Sequence, residues 1–158
     1  MKIFKILSLL AVALVSFTSC NKTNDEPTGP SNELPAGPIE KIVNQWRLAT
    51  VNGVEAEFDV YIDIKDDASF ELYQMVYSNQ YYLYKGTYEL NDQLFTGSYI
   101  GGNMWKCDYI VGISEDEQRL TMISVEDQSI TCVYEATTIP EDVKQWAVTR
   151  ALDVVPFL

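Results

Sequence analysis

Phe58-Asp59-Val60-Tyr61-Ile62-Asp63-Ile64 is the stretch that decides the fold. Apolar side chains fall at 58, 60, 62 and 64, and Glu57, Asp59, Tyr61 and Asp63 fill the positions around and between them. Successive side chains on a strand point to opposite faces, so this run has one face for a core and one for water.

The same period recurs on both sides. Upstream, Trp46 to Val51 reads as a first strand, closed by the turn pair Asn52-Gly53. Downstream, Lys65-Asp66-Asp67 turns the chain into a third strand whose inner face carries Phe70, Leu72, Gln74 and Val76. After Ser78-Asn79-Gln80, a fourth strand carries Tyr82, Tyr84, Gly86, Tyr88 and Leu90, ended by Asn91-Asp92. A short fifth contains Leu94 and Thr96 and ends at Gly101-Gly102-Asn103. The sixth places Trp105, Cys107, Tyr109, Val111 and Ile113 on one face. Leu120 and Met122 mark a seventh, and Ile130, Cys132 and Tyr134 an eighth. Short connections force antiparallel neighbours, so the expected fold is all-β, an eight-stranded antiparallel up-and-down barrel, which leaves no open edge. A two-sheet sandwich needs longer crossing connections than this chain offers.

Past the last strand, Thr138-Ile139-Pro140-Glu141 reads as a capping box. Val143, Trp146, Ala147, Ala151 and Val154 follow at helical spacing, and Pro156 limits the run. One helix over 139–155 is expected, with its Trp146 face packed on the barrel.

The first nineteen residues have the pattern of an export signal. Lys2 and Lys5 precede the apolar run from Ile6 to Val15, which is too short for a permanent membrane span. Phe17-Thr18-Ser19-Cys20 resembles the bacterial lipoprotein cleavage box, which implies cleavage before Cys20 and acylation of that cysteine. Two or more acyl chains make a stable anchor. Residues 20–38 are rich in Asn, Thr, Pro, Gly and Ser and read as a lipidated flexible tether to a folded domain over 39–158. Asp25-Glu26 resembles the surface-export signal of Bacteroidota lipoproteins. The expected address is the outer membrane, on the cell surface or the periplasmic leaflet.

The formal charge is −12, and loss of residues 1–19 removes Lys2 and Lys5 and no acid, leaving −14. Such a balance excludes nucleic acid and anionic lipid surfaces as partners. The chain has no histidine, which removes the commonest general base and metal ligand. Gly-x-Ser-x-Gly, phosphate-loop and dinucleotide motifs are missing, and the carboxylates sit in turns. A non-enzymatic, monomeric protein without cofactor or metal is expected. Glu115-Asp116-Glu117 lacks the glycine-turned spacing of a dedicated calcium loop. With one strand between them, Cys107 and Cys132 are placed too far apart to bridge, and both are expected as reduced thiols.

Trp46-Arg47-Leu48, then Gly86-Thr87-Tyr88-Glu89-Leu90 before a two-residue turn, then a helix after the meander, resemble the lipocalin-like lipoproteins of the Bacteroidota. Asn44 stands where lipocalins place glycine, which points to the looser calycin-type group. The resemblance implies that Trp46 packs across the closed end of the barrel and that the protein binds a small apolar molecule. An eight-stranded barrel either fills with side chains or holds one small ligand. Gln74, Tyr88 and Thr96 are the candidates for orienting a ligand, with Tyr84, Trp105 and Tyr109 beside them as ring surface. Six of the ten tyrosines, Tyr73, Tyr77, Tyr81, Tyr82, Tyr84 and Tyr88, gather around one hairpin. They offer an alternative: an acidic, tyrosine-rich face that engages a partner protein or a glycan.

Overall fold

In a computed structural model, residues 34–76, 78–149 and 155–158 are described. The expected export signal, Cys20, the expected tether up to residue 33, Tyr77, Ala151 and Val154 lie outside them.

Ten strands follow a single-turn 3₁₀ helix at Ile39–Ile42: β1 Asn44–Val51, β2 Val54–Glu55, β3 Asp59–Ile64, β4 Ser69–Met75 and β5 Tyr82–Asn91, then β6 Leu94–Tyr99, β7 Tyr109–Ile113, β8 Arg119–Ser124, β9 Thr131–Ala136 and β10 Val148–Thr149. Eight of them close a ring. Each of β3 to β8 pairs antiparallel with the next, and β1 pairs with β3 on one side and β9 on the other. The expected up-and-down barrel is therefore the fold, with short β2 as a hairpin extension of β1. The Asn52-Gly53 turn joins them with φ of 53° and 75°. Both values are left-handed, as the tight turn that matches strand twist requires.

The alternation of 58–64 lands as read. Val60, Ile62 and Ile64 are buried inside the barrel. Across the sheet Ile62 faces Leu72, and Leu72 faces Tyr84, so one inner row spans three strands. The outer row is Tyr61, Tyr73 and Leu83, also in register. It is buried as well, because Ile139 and Val143 cover it. Gln45 fixes that cover. Its Oε1 accepts from the Ile139 amide at 2.8 Å, and its Nε2 donates to Asp63 at 3.2 Å.

The closed end is built from Trp46, Ile42 and the strand ends around Ile64 and Ile113. Trp46 is 0 % exposed, and its indole N–H donates to the Ile42 carbonyl at 2.8 Å. Residues 34–37, read from sequence as tether, lie against β7. The Gly37 amide donates to the Ile113 carbonyl at 2.8 Å, and a Cβ on Gly112 would meet Pro35 at 2.9 Å. The ordered domain thus begins a few residues before position 39.

Two expectations are corrected. The helix is α1, Glu141–Trp146, six residues long and not a helix over 139–155. Pro140 stands at its N-cap, where no side-chain bond forms, so the Thr138 capping box is not made. Trp146 is 69 % exposed, not core. The physical reason lies in β5. Its partner β6 reaches only as far as Gly86, which leaves the edge at Tyr82 and Leu83 open. After α1 the chain extends, and β10 pairs parallel with that edge, Val148 N–H to Tyr81 C=O at 2.9 Å. Covering an open edge outweighs one more helical turn. Residues 150–154 of the expected helix are outside the described set.

The second correction concerns β6. Phe95, Gly97 and Tyr99 face the interior, and Leu94, Thr96 and Ser98 face outward. A slip of one residue exchanges the two faces of a strand. Gly97 is inward because the Trp105 indole occupies the place its Cβ would take.

Candidate functional site

Aromatic rings fill the middle of the barrel. Trp105 sits edge-on to Phe95 at 4.9 Å between centroids, to Phe70 at 5.2 Å and to Tyr109 at 6.1 Å. Tyr99 joins Phe70 at 5.6 Å and Tyr84 at 5.9 Å. Edge-to-face contacts of this kind each add about 0.5–1.5 kcal/mol beyond burial. Tyr84, Trp105 and Tyr109, three of the residues proposed to line a ligand site, are therefore packed core.

Tyr88 leans on Phe95 at 5.3 Å, and its hydroxyl donates to the Lys65 carbonyl at 2.6 Å, toward the closed end. Thr96 stands on the outer wall, in a shallow groove with Thr87, Glu89, Ser98 and Met104. The six candidates are thus not one site: three are core, Tyr88 is a wall residue and Thr96 is outside.

Gln74 is different. It is 1 % exposed, at the end opposite Trp46, and it lines a cavity of 520 Å³. That volume is in the range of small-molecule sites. Phe58 and Val76 from the strand ends, Tyr82 at the start of β5, and Ser78 and Lys106 on the rim share the lining. The remaining wall is Val155, Pro156 and Phe157, a segment that returns to the barrel mouth after β10. The Phe157 ring meets Phe58 at 5.7 Å, and Leu158 is buried in the main core. Neither strand nor helix periodicity marks this segment in the sequence. Two large apolar residues directly after Pro156, beyond any helix, were the available signal.

The core also buries polar groups. The Tyr99 hydroxyl donates to the Leu158 carbonyl at 2.9 Å. The Tyr134 hydroxyl and the Trp105 indole N–H are buried with no partner among the described residues. Burial pushes the Tyr99, Tyr109 and Tyr134 hydroxyls well above the ordinary phenol range. Cys107 and Cys132 are both free thiols. Burial, and secondarily the nearby Cys107, push Cys132 up to about 11. A thiol so placed is neutral at pH 7 and a poor nucleophile.

The tyrosine-rich outer face is largely absorbed by packing. Tyr61 and Tyr73 are buried beneath α1 and the residue before its cap, Ile139. The Tyr73 hydroxyl donates to Glu71, and the Tyr81 hydroxyl to Asp59. Burial acts to raise the Glu71 pKa. Hydrogen bonds from Lys85, Tyr73 and Lys65 outweigh it, and the carboxyl titrates below its ordinary range. No known family model matches this chain, and no curated protein is significantly similar to it in sequence.

Proposed function

We propose that this is a lipid-anchored envelope lipoprotein, acylated at Cys20, of the lipocalin-like kind. Its barrel binds one small apolar or amphipathic ligand and catalyses no reaction. The observation that carries the reading is the 520 Å³ cavity at the mouth, with rings on its walls and a few polar groups at fixed places. Phe58, Val76 and Phe157 supply apolar surface, at about 25 cal/mol per Å² removed from water. Gln74 and Tyr82 supply orientation, and Lys106 is the one cation among the described lining residues, suited to a polar or anionic head at the rim.

Titration with N-phenyl-1-naphthylamine, whose fluorescence rises in apolar surroundings, tests the binding. One saturable site is expected, weakened by Phe58→Ser. A linear, unsaturable response would remove the reading. The anchor is tested separately. Cys20→Ala is expected to release the protein from the membrane fraction, and protease shaving of intact cells assigns the leaflet.

A further inference from the structure

The Gln74 side chain does more than line the cavity. Its Nε2 donates to the Val155 carbonyl at 3.2 Å, and its Oε1 accepts from the Phe157 amide at 2.7 Å. One buried amide therefore reads a carbonyl and an N–H two residues apart on the chain. That is the pattern by which one strand pairs with another, reproduced by a single side chain. Pro156, between the two, has no N–H to satisfy. Further in, the Tyr99 hydroxyl takes the Leu158 carbonyl, and the Phe58 ring takes Phe157. Each of these polar contacts engages main chain, and each apolar contact needs only bulk.

From this geometry we infer that the mouth is a main-chain-reading peptide site, occupied here by the chain's own segment 155–158. A guest of matching chemistry, an extended peptide with an apolar residue after a proline, competes with that segment for Gln74 and Phe58. The inference rests on the binding role of the cavity and names its ligand class. Two observations support a site over incidental packing. Gln74 is an almost fully buried amide on an otherwise apolar inner face, a costly placement unless its bonds are made. A second buried polar side chain, Tyr99, likewise spends its hydroxyl on main chain, at the Leu158 carbonyl.

The test uses the purified chain and a fluorescein-labelled, end-blocked Val-Pro-Phe-Leu peptide, read by anisotropy. Phe157→Asp places a charge against Phe58 and expels the resident segment. This variant is expected to bind the peptide at least about tenfold more tightly than the parent, because the competitor is gone. Adding Gln74→Met, which keeps the volume and loses both bonds, is expected to reverse the gain. Equal binding by parent and Phe157→Asp, or a gain that survives Gln74→Met, overturns the inference. N-phenyl-1-naphthylamine separates it from the broader reading. Saturable probe binding without a peptide gain sinks the peptide site alone. A peptide gain without probe binding sinks the small-ligand reading alone. Should Phe157→Asp fail to fold, Gln74→Met by itself decides. The Phe157 amide is expected to lose hydrogen-exchange protection about tenfold or more, and unchanged protection refutes the contact as an anchor.

Discussion

Trp46 and Trp146 are expected to respond to substitution in opposite ways. Trp46 is 0 % exposed and hydrogen-bonded to the Ile42 carbonyl, whereas Trp146 is 69 % exposed. Trp46→Phe removes the indole N–H and strands a buried carbonyl, which costs about 1–3 kcal/mol. It also removes about 40 Å³ of ring, and at about 24 cal/mol per Å³ of residual cavity this adds about 1 kcal/mol. The closed end relaxes little, because β1 is held by β3 and β9 on both sides. The sum is about 2–4 kcal/mol, a fall in Tm of roughly 10 °C or more for a domain of this size. Trp146→Ala removes a ring that is mostly in water and is expected to cost less than about 0.5 kcal/mol. Urea unfolding followed by far-ultraviolet circular dichroism measures both without relying on tryptophan emission. Equal losses, or a larger loss at Trp146, refute the assignment of the closed end.

Three further outcomes are expected. Gly97→Ala forces a methyl group into the Trp105 indole and should destabilise by about 1–3 kcal/mol, readable as a lower urea midpoint at unchanged slope. Thr96→Val, on the outer wall, should leave probe binding at the mouth unchanged, and a loss of affinity would restore Thr96 to the interior. Burial pushes the Cys132 thiol up to about 11 from an ordinary value near 9.0, so the folded chain holds the proton more tightly. Its contribution is complete below pH 9 and is lost between pH 9 and 11, up to about 2–3 kcal/mol. Unfolding curves from pH 8 to 10.5 should therefore fall less steeply for Cys132→Ala than for the parent.

What the sequence disclosed, and what it hid, have a common physical cause. Strands that alternate apolar with polar residues write their period plainly, as 58–64 does even though Tyr61 on its outer face is covered, and eight such runs spell the closed ring. β6 hid its register because its inward residue is Gly97, which carries no side chain to mark a face. Leu94 then looked like the inner residue, and Thr96 was carried inward with it. The helix was overread for a different reason. Val143 and Ala147 do pack, but the spacing that extended the face to Trp146 takes no account of a sheet edge. The open edge of β5 is a tertiary feature, visible only once β6 is known to stop opposite Gly86. Candidate site residues suffered most, since an inward-pointing ring reads the same whether it touches a ligand or another ring.

That ambiguity resolves along the barrel axis. From Trp46 up to Tyr99 the interior is occupied by its own side chains, so depth in the sequence pattern does not translate into a ligand chamber. Filling the middle gives the fold its stability and moves the place where anything can bind to the rim. At the rim the strands end, their inner residues lose partners on one side, and Phe58, Gln74 and Val76 need cover. Segment 155–158 supplies part of it through two hydrogen bonds from the Gln74 amide and one from the Tyr99 hydroxyl, and leaves 520 Å³ beside it. A cover held by so few polar contacts is separable from the barrel in a way that Trp105, locked between Phe70, Phe95 and Gly97, is not. Binding at this end can therefore be changed by substitutions at 74 and 157 that leave the aromatic core intact.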